Sequence, residues 1–230
     1  MPTVHVNDID IYYERHGAGA PLVLIGGLST DLSEYESIIR WLAGRYAVLA
    51  CDNRGAGRTD KPDAPYSIEQ MAGDTAGLMR AVGVERAHVL GISMGGRIAL
   101  ALALRHPDLV DKLVLVSTGA RSGRRRLRLR LLGLVTLLPL FRSAYPQPHY
   151  AFVRQRAASA AYDCTARLGE IAAPTLILHG RRDATAPFRL AEALHAGIRG
   201  SQLAPFAGGH LFFFMRERRR FLDAVAAFLG

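Results

Sequence analysis

Gly91-Ile92-Ser93-Met94-Gly95-Gly96 sets a serine between two glycines, with the apolar run His88-Val89-Leu90 before it and a helix-forming run from Arg97 to Arg105 after it. A strand that turns at once into a helix strains the residue at the turn and leaves little room around it. Glycines two positions before and two after remove the Cβ atoms that would clash. The serine hydroxyl then stands at the carboxyl edge of a sheet, and the backbone N–H of Met94 lies at the helix N-terminus. That geometry suits a nucleophile. A glycine-rich turn with an incidental serine has the same signature, so these six residues alone leave both readings open.

The spacing of apolar residues gives the elements that must position this serine. Strands over 4–6 and 11–13 flank Asn7-Asp8 and predict an N-terminal hairpin. The continuous apolar run 22–25 ends at Gly26-Gly27 and reads as a buried strand. Leu32, Tyr35, Ile38, Ile39 and Leu42 recur at helical spacing and predict a helix over 33–42. A second buried strand, 46–51, stops at the loop 52–59. Ser67 caps a helix over 67–82, with Gln70 at the capping-box position and Gly83 at its end. Beyond it the pattern predicts a strand over 88–91, a helix over 94–105 stopped by His106-Pro107, and a strand over 113–117. A strand over 174–179, a helix over 187–196, a short strand near Gln202-Leu203 and a terminal helix over 215–229 follow.

Strands alternating with helices predict an α/β fold: a mostly parallel sheet covered on both faces. Residues 119–169 interrupt the alternation with helical character and no strand signal. They read as a helical lid inserted at the carboxyl edge of a core formed by 1–118 and 170–230.

At 230 residues the chain is long enough for one such domain with a full core. Cys51 and Cys164 lie far apart and form no disulfide framework, which makes a reducing cytoplasm the default compartment. The first residues, Met1-Pro2-Thr3-Val4-His5, show no signal-peptide pattern. The apolar stretch 127–141 is broken by Arg128, Arg130, Gly133 and Pro139, too short and too interrupted to span a bilayer. The net charge of +9 is regional: residues 112–162 hold ten basic residues and no acidic one.

The elbow is joined by Leu24-Ile25-Gly26-Gly27-Leu28, by Asp52-Asn53-Arg54-Gly55-Ala56-Gly57-Arg58-Thr59, by Pro174-Thr175-Leu176-Ile177-Leu178-His179-Gly180-Arg181-Arg182-Asp183 and by Gly208-Gly209-His210. With these five motifs in this order, the chain resembles the α/β-hydrolase superfamily over nearly its whole length. The resemblance implies a triad in the chain order Ser93, Asp183, His210. His210 would take the serine proton and later return it to the leaving group, and Asp183 would fix the imidazole tautomer. The backbone N–H groups of Leu28 and Met94 would form the oxyanion hole. No metal and no cofactor is called for. Many relatives carry His-Gly where this chain has Gly26-Gly27. The backbone donor survives that change, but the first glycine makes the loop more flexible and removes a side chain that usually orders it.

Other candidates for these roles have plainer readings. His179 ends a buried strand and reads as a satisfied core histidine. His88 and His106 read as structural or solvent-facing, and His149 as a surface histidine with a substrate contact as the alternative. Asp52 resembles the family's loop aspartate, which shapes a turn and is not the triad acid, with Arg54 and Arg58 serving the same loop.

A serine at the elbow implies attack on a carbonyl carbon and an acyl-enzyme released by water: esters, lactones, thioesters, amides, or C–C bonds next to carbonyls. The stretches Pro65-Tyr66-Ser67-Ile68-Glu69 and Ala87-His88-Val89-Leu90-Gly91-Ile92-Ser93 are similar to the enol-lactonase and small-ester group, with cofactor-free perhydrolases close by. A ligand-binding protein on the same fold is the reading from outside enzymology, and an intact triad argues against it. The expected partner is a small-molecule substrate.

The run Arg121-Ser122-Gly123-Arg124-Arg125-Arg126-Leu127-Arg128-Leu129-Arg130 reads as the solvated basic end of a lid helix. Its alternatives are a rim that steers anionic substrates and docking on an anionic membrane surface. Nucleic acid is disfavoured, because one short basic run carries no reading motif. Gly27, Leu131, Leu134, Leu138 and Phe141 are candidate substrate contacts, the last four as an apolar pocket wall.

Overall fold

The computed structural model describes residues 2–123 and 145–230. Eight strands form one sheet: β1 (Thr3–Val6), β2 (Ile9–His16), β3 (Ala20–Ile25), β4 (Tyr46–Cys51), β5 (Ala87–Ile92), β6 (Val110–Val116), β7 (Thr175–Gly180) and β8 (Gln202–Phe206). Their spatial order is β1-β2-β4-β3-β5-β6-β7-β8. The β1–β2 hairpin and the β2–β4 pair are antiparallel, and every pair from β4 to β8 is parallel.

A parallel sheet needs cover on both faces, so its strands must be apolar on both sides. The central strands meet that demand. Val23, Ile25, Val89, Leu113, Leu115 and Ile177 face one core with α2 (Ile68–Ala81), α3 (Met94–Arg105) and α5 (Arg189–Gly197). Leu22, Leu24, Leu90, Ile92, Val114, Val116, Leu176 and Leu178 face the other, with α1 (Glu36–Ala43) and α6 (Arg218–Leu229). Alternate residues of each strand therefore serve opposite cores, as the two-residue strand period requires.

Two helices depart most from their expected spans. The helix expected over 33–42 divides into a 3-10 turn, Leu32–Tyr35, and then α1. Asp31 caps that turn in a reciprocal capping box with Glu34. The terminal helix begins at Arg218, not 215, and is preceded by a separate 3-10 turn, Phe212–Phe214. Phe212 and Phe213 are fully buried against Phe206 and Phe221, so the aromatic residues pull the chain inward before the helix can start.

Between β6 and β7 the described residues form α4 (His149–Ala161) and a 3-10 helix, Thr165–Glu170. An antiparallel bridge between Arg121 and Asp163 and a bond from Cys164 N–H to the Ala120 carbonyl (3.0 Å) tie its two sides together. Leu131, Leu134, Leu138, Phe141 and most of the arginine run lie outside the described residues. Cys51 and Cys164 are both buried and unpaired with each other. Among the described residues, no helix is long and apolar enough to cross a membrane.

Candidate active site

β5 delivers the chain to Ser93, and α3 takes it away from Met94. Ser93 stands between them at φ 57° and ψ −114°, a conformation that costs a non-glycine residue about 1–3 kcal/mol. Three hydrogen bonds hold it there. Its N–H donates to the Val116 carbonyl (2.8 Å), and its carbonyl accepts from Thr118 Oγ1 (2.7 Å) and Gly96 N–H (3.1 Å). A Cβ on Gly91 would stand 2.4 Å from the Gly95 carbonyl oxygen, and one on Gly95 only 2.2 Å from that of Ile25. Both glycines are needed for close backbone approach, so the turn is the strained elbow that the spacing predicts.

The loops after β7 and β8 bring two more side chains to the serine. His210 Nε2 lies 3.0 Å from Ser93 Oγ, and His210 Nδ1 lies 2.7 Å from Asp183 Oδ2. An ionised carboxylate only accepts, so Nδ1 carries the proton and Nε2 faces the serine hydroxyl with its lone pair. The Asp183 Oδ1 also accepts the N–H groups of Thr185 and Ala186, each at 2.8 Å. Burial pushes the Asp183 carboxyl up, but the His179 ring 3.4 Å away and the hydrogen bond from His210 outweigh it and hold it down at about 2. Behind the imidazole, Ser117 Oγ donates to the His210 carbonyl (2.8 Å). The carboxylate of Glu217 accepts from Ala207 N–H (3.1 Å) and Gly208 N–H (2.7 Å), fixing the start of that loop.

His179 departs from its expected role as a satisfied core residue. It is fully buried, its Nε2 donates to the Ala186 carbonyl (2.7 Å) and lies 3.4 Å from Asp183 Oδ2, and its Nδ1 has no partner. The acid therefore faces two histidines, because a four-residue step from the end of β7 brings the chain back over His179.

The loop after β3 is pinned rather than flexible, which corrects the expectation for Gly26-Gly27. Gly26 O accepts from Asn53 Nδ2 (3.0 Å), Gly27 N–H donates to Tyr35 Oη (2.9 Å), and Gly27 O accepts from Thr30 Oγ1 (3.0 Å). A Cβ on Gly26 would lie 2.9 Å from the Tyr35 ring. The ring occupies the space a side chain at 26 would need and takes over its ordering role. Ser29, left-handed at φ 61°, donates its N–H to Gln155 Oε1 (3.0 Å). Among the described residues the Leu28 N–H has no acceptor, and the Met94 N–H, at the first position of α3, has none within the helix. Gly27 borders the serine: a Cβ there would come within 3.5 Å of Ser93 Cβ.

The remaining candidates stand apart from this chain of hydrogen bonds. Asp52 accepts from Leu32 N–H (2.8 Å) and from Arg58 N–H (2.8 Å), and so shapes its loop. The buried Arg54 guanidinium bonds Asp74 and Asp8, tying that loop to α2 and the β1–β2 hairpin. His88 is buried beside Tyr46 and Asp111, and His149 is exposed on α4. Sequence reasoning did not find Thr30, Tyr35, Asn53, Ser117, Thr118 or Gln155, whose parts depend on distant chain segments. Only the Asp31-Leu32-Ser33-Glu34 capping box was a local sign that Tyr35 would be fixed beside the glycines.

Residues 20–151, more than half of the chain, match the family model described as alpha/beta hydrolase fold, and the chain belongs to that family. Among its relatives, the RutD protein of Azorhizobium caulinodans, to which carbamate hydrolysis is ascribed, is 34% identical over 92% of each chain. A hydrolase from Pseudomonas aeruginosa has a similar structure, with a TM-score of 0.90 and 26% identity over 100% of this chain and 98% of that one. The enol-lactonase of Burkholderia xenovorans is also similar, with a TM-score of 0.86 and 27% identity over 99% of both chains.

Proposed function

We propose that this α/β hydrolase is a serine hydrolase that cleaves a carboxylic ester or lactone through an acyl-enzyme on Ser93. The observation that carries the reading is the unbroken relay from Ser93 Oγ to His210 (3.0 Å) and from His210 to Asp183 (2.7 Å). His210 accepts the Ser93 proton as Oγ attacks the carbonyl carbon, and the ionised Asp183 stabilises the imidazolium. The N–H groups of Leu28 and Met94 receive the oxyanion. Collapse expels the alkoxide, which takes its proton from His210; in a lactone it stays tethered to the acyl group. His210 then deprotonates a water, which attacks the acyl carbon, and the carboxylic acid leaves as Ser93 regains its proton.

Residues 119–169 are the lid in this reading, with Leu131, Leu134, Leu138 and Phe141 as its apolar wall and Gly27 beside the serine. The likeness to the enol-lactonase supports the lactone branch. The likeness to RutD supports a second reading, attack on a carbamate carbonyl by the same groups.

A fluorophosphonate probe tests the common step. Folded wild-type protein is expected to label at Ser93, and Ser93→Ala is expected to lose p-nitrophenyl ester turnover by at least about 10⁴-fold. Absence of labelling in folded protein overturns the reading. A panel of enol-lactones, aryl esters, carbamates and vinylogous diketones then separates the substrate classes.

A further inference from the structure

Gln155 is the one fully buried glutamine on α4, a helix whose other residues are mostly alanine, apolar or solvent-facing. Burying an amide is costly unless its polar atoms are satisfied, and here every one is directed to a backbone or side-chain partner. Its Oε1 accepts Ser29 N–H (3.0 Å) and Gln147 Nε2 (3.0 Å), and its Nε2 donates to the Arg54 carbonyl (2.8 Å). Gln147 Nε2 also donates to the Gly55 carbonyl (2.6 Å), so two glutamines of this segment grip the loop after β4 while one of them holds the loop after β3.

The place of that grip matters. The Leu28 N–H lies in the Gly27–Leu28 peptide plane, and the Leu28–Ser29 plane on its other side fixes where the residue itself is held. Thr30 holds the Gly27–Leu28 plane through the Gly27 carbonyl, and Gln155 holds the Leu28–Ser29 plane through the Ser29 N–H. Ser29 sits at φ 61°, a backbone state that persists only when its surroundings impose it. Nothing else among the described residues accepts the Ser29 N–H.

We infer that Gln155 is a positioning residue that anchors the chain just after Leu28 and so keeps the Leu28 N–H in place at the oxyanion, so that seating α4 against the loop after β3 assembles the oxyanion hole. This rests on the serine-hydrolase reading. The segment between β6 and β7 then does more than cover the site, because it also completes the transition-state donor set.

The test uses the full chain with Gln155→Met, which keeps the length of the side chain and removes its amide. Active sites are counted by fluorophosphonate titration, so that any loss of folded protein drops out of the rates. Per titrated site, kcat for an aryl ester is expected to fall ~10–100-fold, less than the ~10²–10³-fold for deleting an oxyanion donor outright. KM should stay within about 3-fold of wild type, and inhibition by a phenylboronic acid should weaken in parallel with kcat. Unchanged kcat per site overturns the inference. Failure of the wild type to label removes the serine-hydrolase reading instead, and so is distinguishable. Should Gln155→Met not fold, amide exchange in the wild type decides. The Ser29 amide must then be protected and must open together with the α4 amides. A Ser29 amide exchanging at free-loop rates while α4 stays protected overturns the inference.

Discussion

The Thr30 hydroxyl donates to the Gly27 carbonyl at 3.0 Å, and that carbonyl shares one rigid peptide plane with the Leu28 N–H. A side-chain hydroxyl two residues beyond the proposed donor thereby sets where the donor points. Thr30→Val keeps the shape and removes the bond. Its expected effect is a loss of about 10-fold or more in kcat, with a stability loss of about 1–3 kcal/mol because the Gly27 carbonyl and the Tyr35 hydroxyl each lose a partner. Steady-state kinetics beside a thermal melt separates the two; unchanged kcat would remove Thr30 from the oxyanion argument.

Gly95 tolerates no side chain. A Cβ there meets the carbonyl oxygens of Ile25 at 2.2 Å and Gly26 at 2.5 Å, both backbone atoms of the strand end facing the elbow. Gly95→Ala must push α3 away from β3. Destabilisation of about 2–3 kcal/mol is expected by urea unfolding, together with loss of esterase activity as Met94 and Leu28 part.

Ser117, wholly buried at φ 48°, holds the His210 carbonyl through its hydroxyl at 2.8 Å. Ser117→Ala leaves that carbonyl without its donor. Stability should drop by about 1–3 kcal/mol, and kcat should fall because the imidazole is no longer anchored from behind. Urea unfolding and turnover measured on the same preparation check both, and a variant with wild-type values in each would exclude the role.

Asp183 makes acid stability testable. Burial raises its carboxyl, yet the neighbouring His179 ring and the hydrogen bond from His210 leave it at about 2, below its ordinary 3.8. Because the folded value is the lower one, the stabilisation is complete above pH 4 and disappears as pH falls through 2. A shift of this size corresponds to about 2 kcal/mol. Asp183→Asn should be the less stable protein at neutral pH, and the two stability curves should converge as pH falls from 4 to 2. Parallel curves across that window would contradict the assignment.

Local pattern sufficed for much of the fold. The strand 46–51 and the helix 94–105 fall where periodicity predicts, because an unbroken apolar run and a helix stopped by His106-Pro107 are statements about neighbouring residues. The hairpin strands are longer than their apolar cores, since pairing with β4 carries β2 on to His16. The late start of the last helix at Arg218 was not legible, because residues 215–217 carry no local stop signal and only the burial of the phenylalanines before them sets the turn.

The sequence by itself determined the strained serine and the alternation of buried strands and helices, and its resemblance to a family implied the chain order of serine, acid and histidine. Glycine spacing and apolar periodicity are enforced over a few residues, so they survive without knowledge of the rest. Only the tertiary structure decided that Tyr35 fills the place left by Gly26, that His179 shares the acid with His210, and that Gln155 reaches Ser29 across 126 residues of chain. Those contacts join segments that the sheet's strand order brings together. A hydrogen bond between distant residues leaves no periodic trace in either of them.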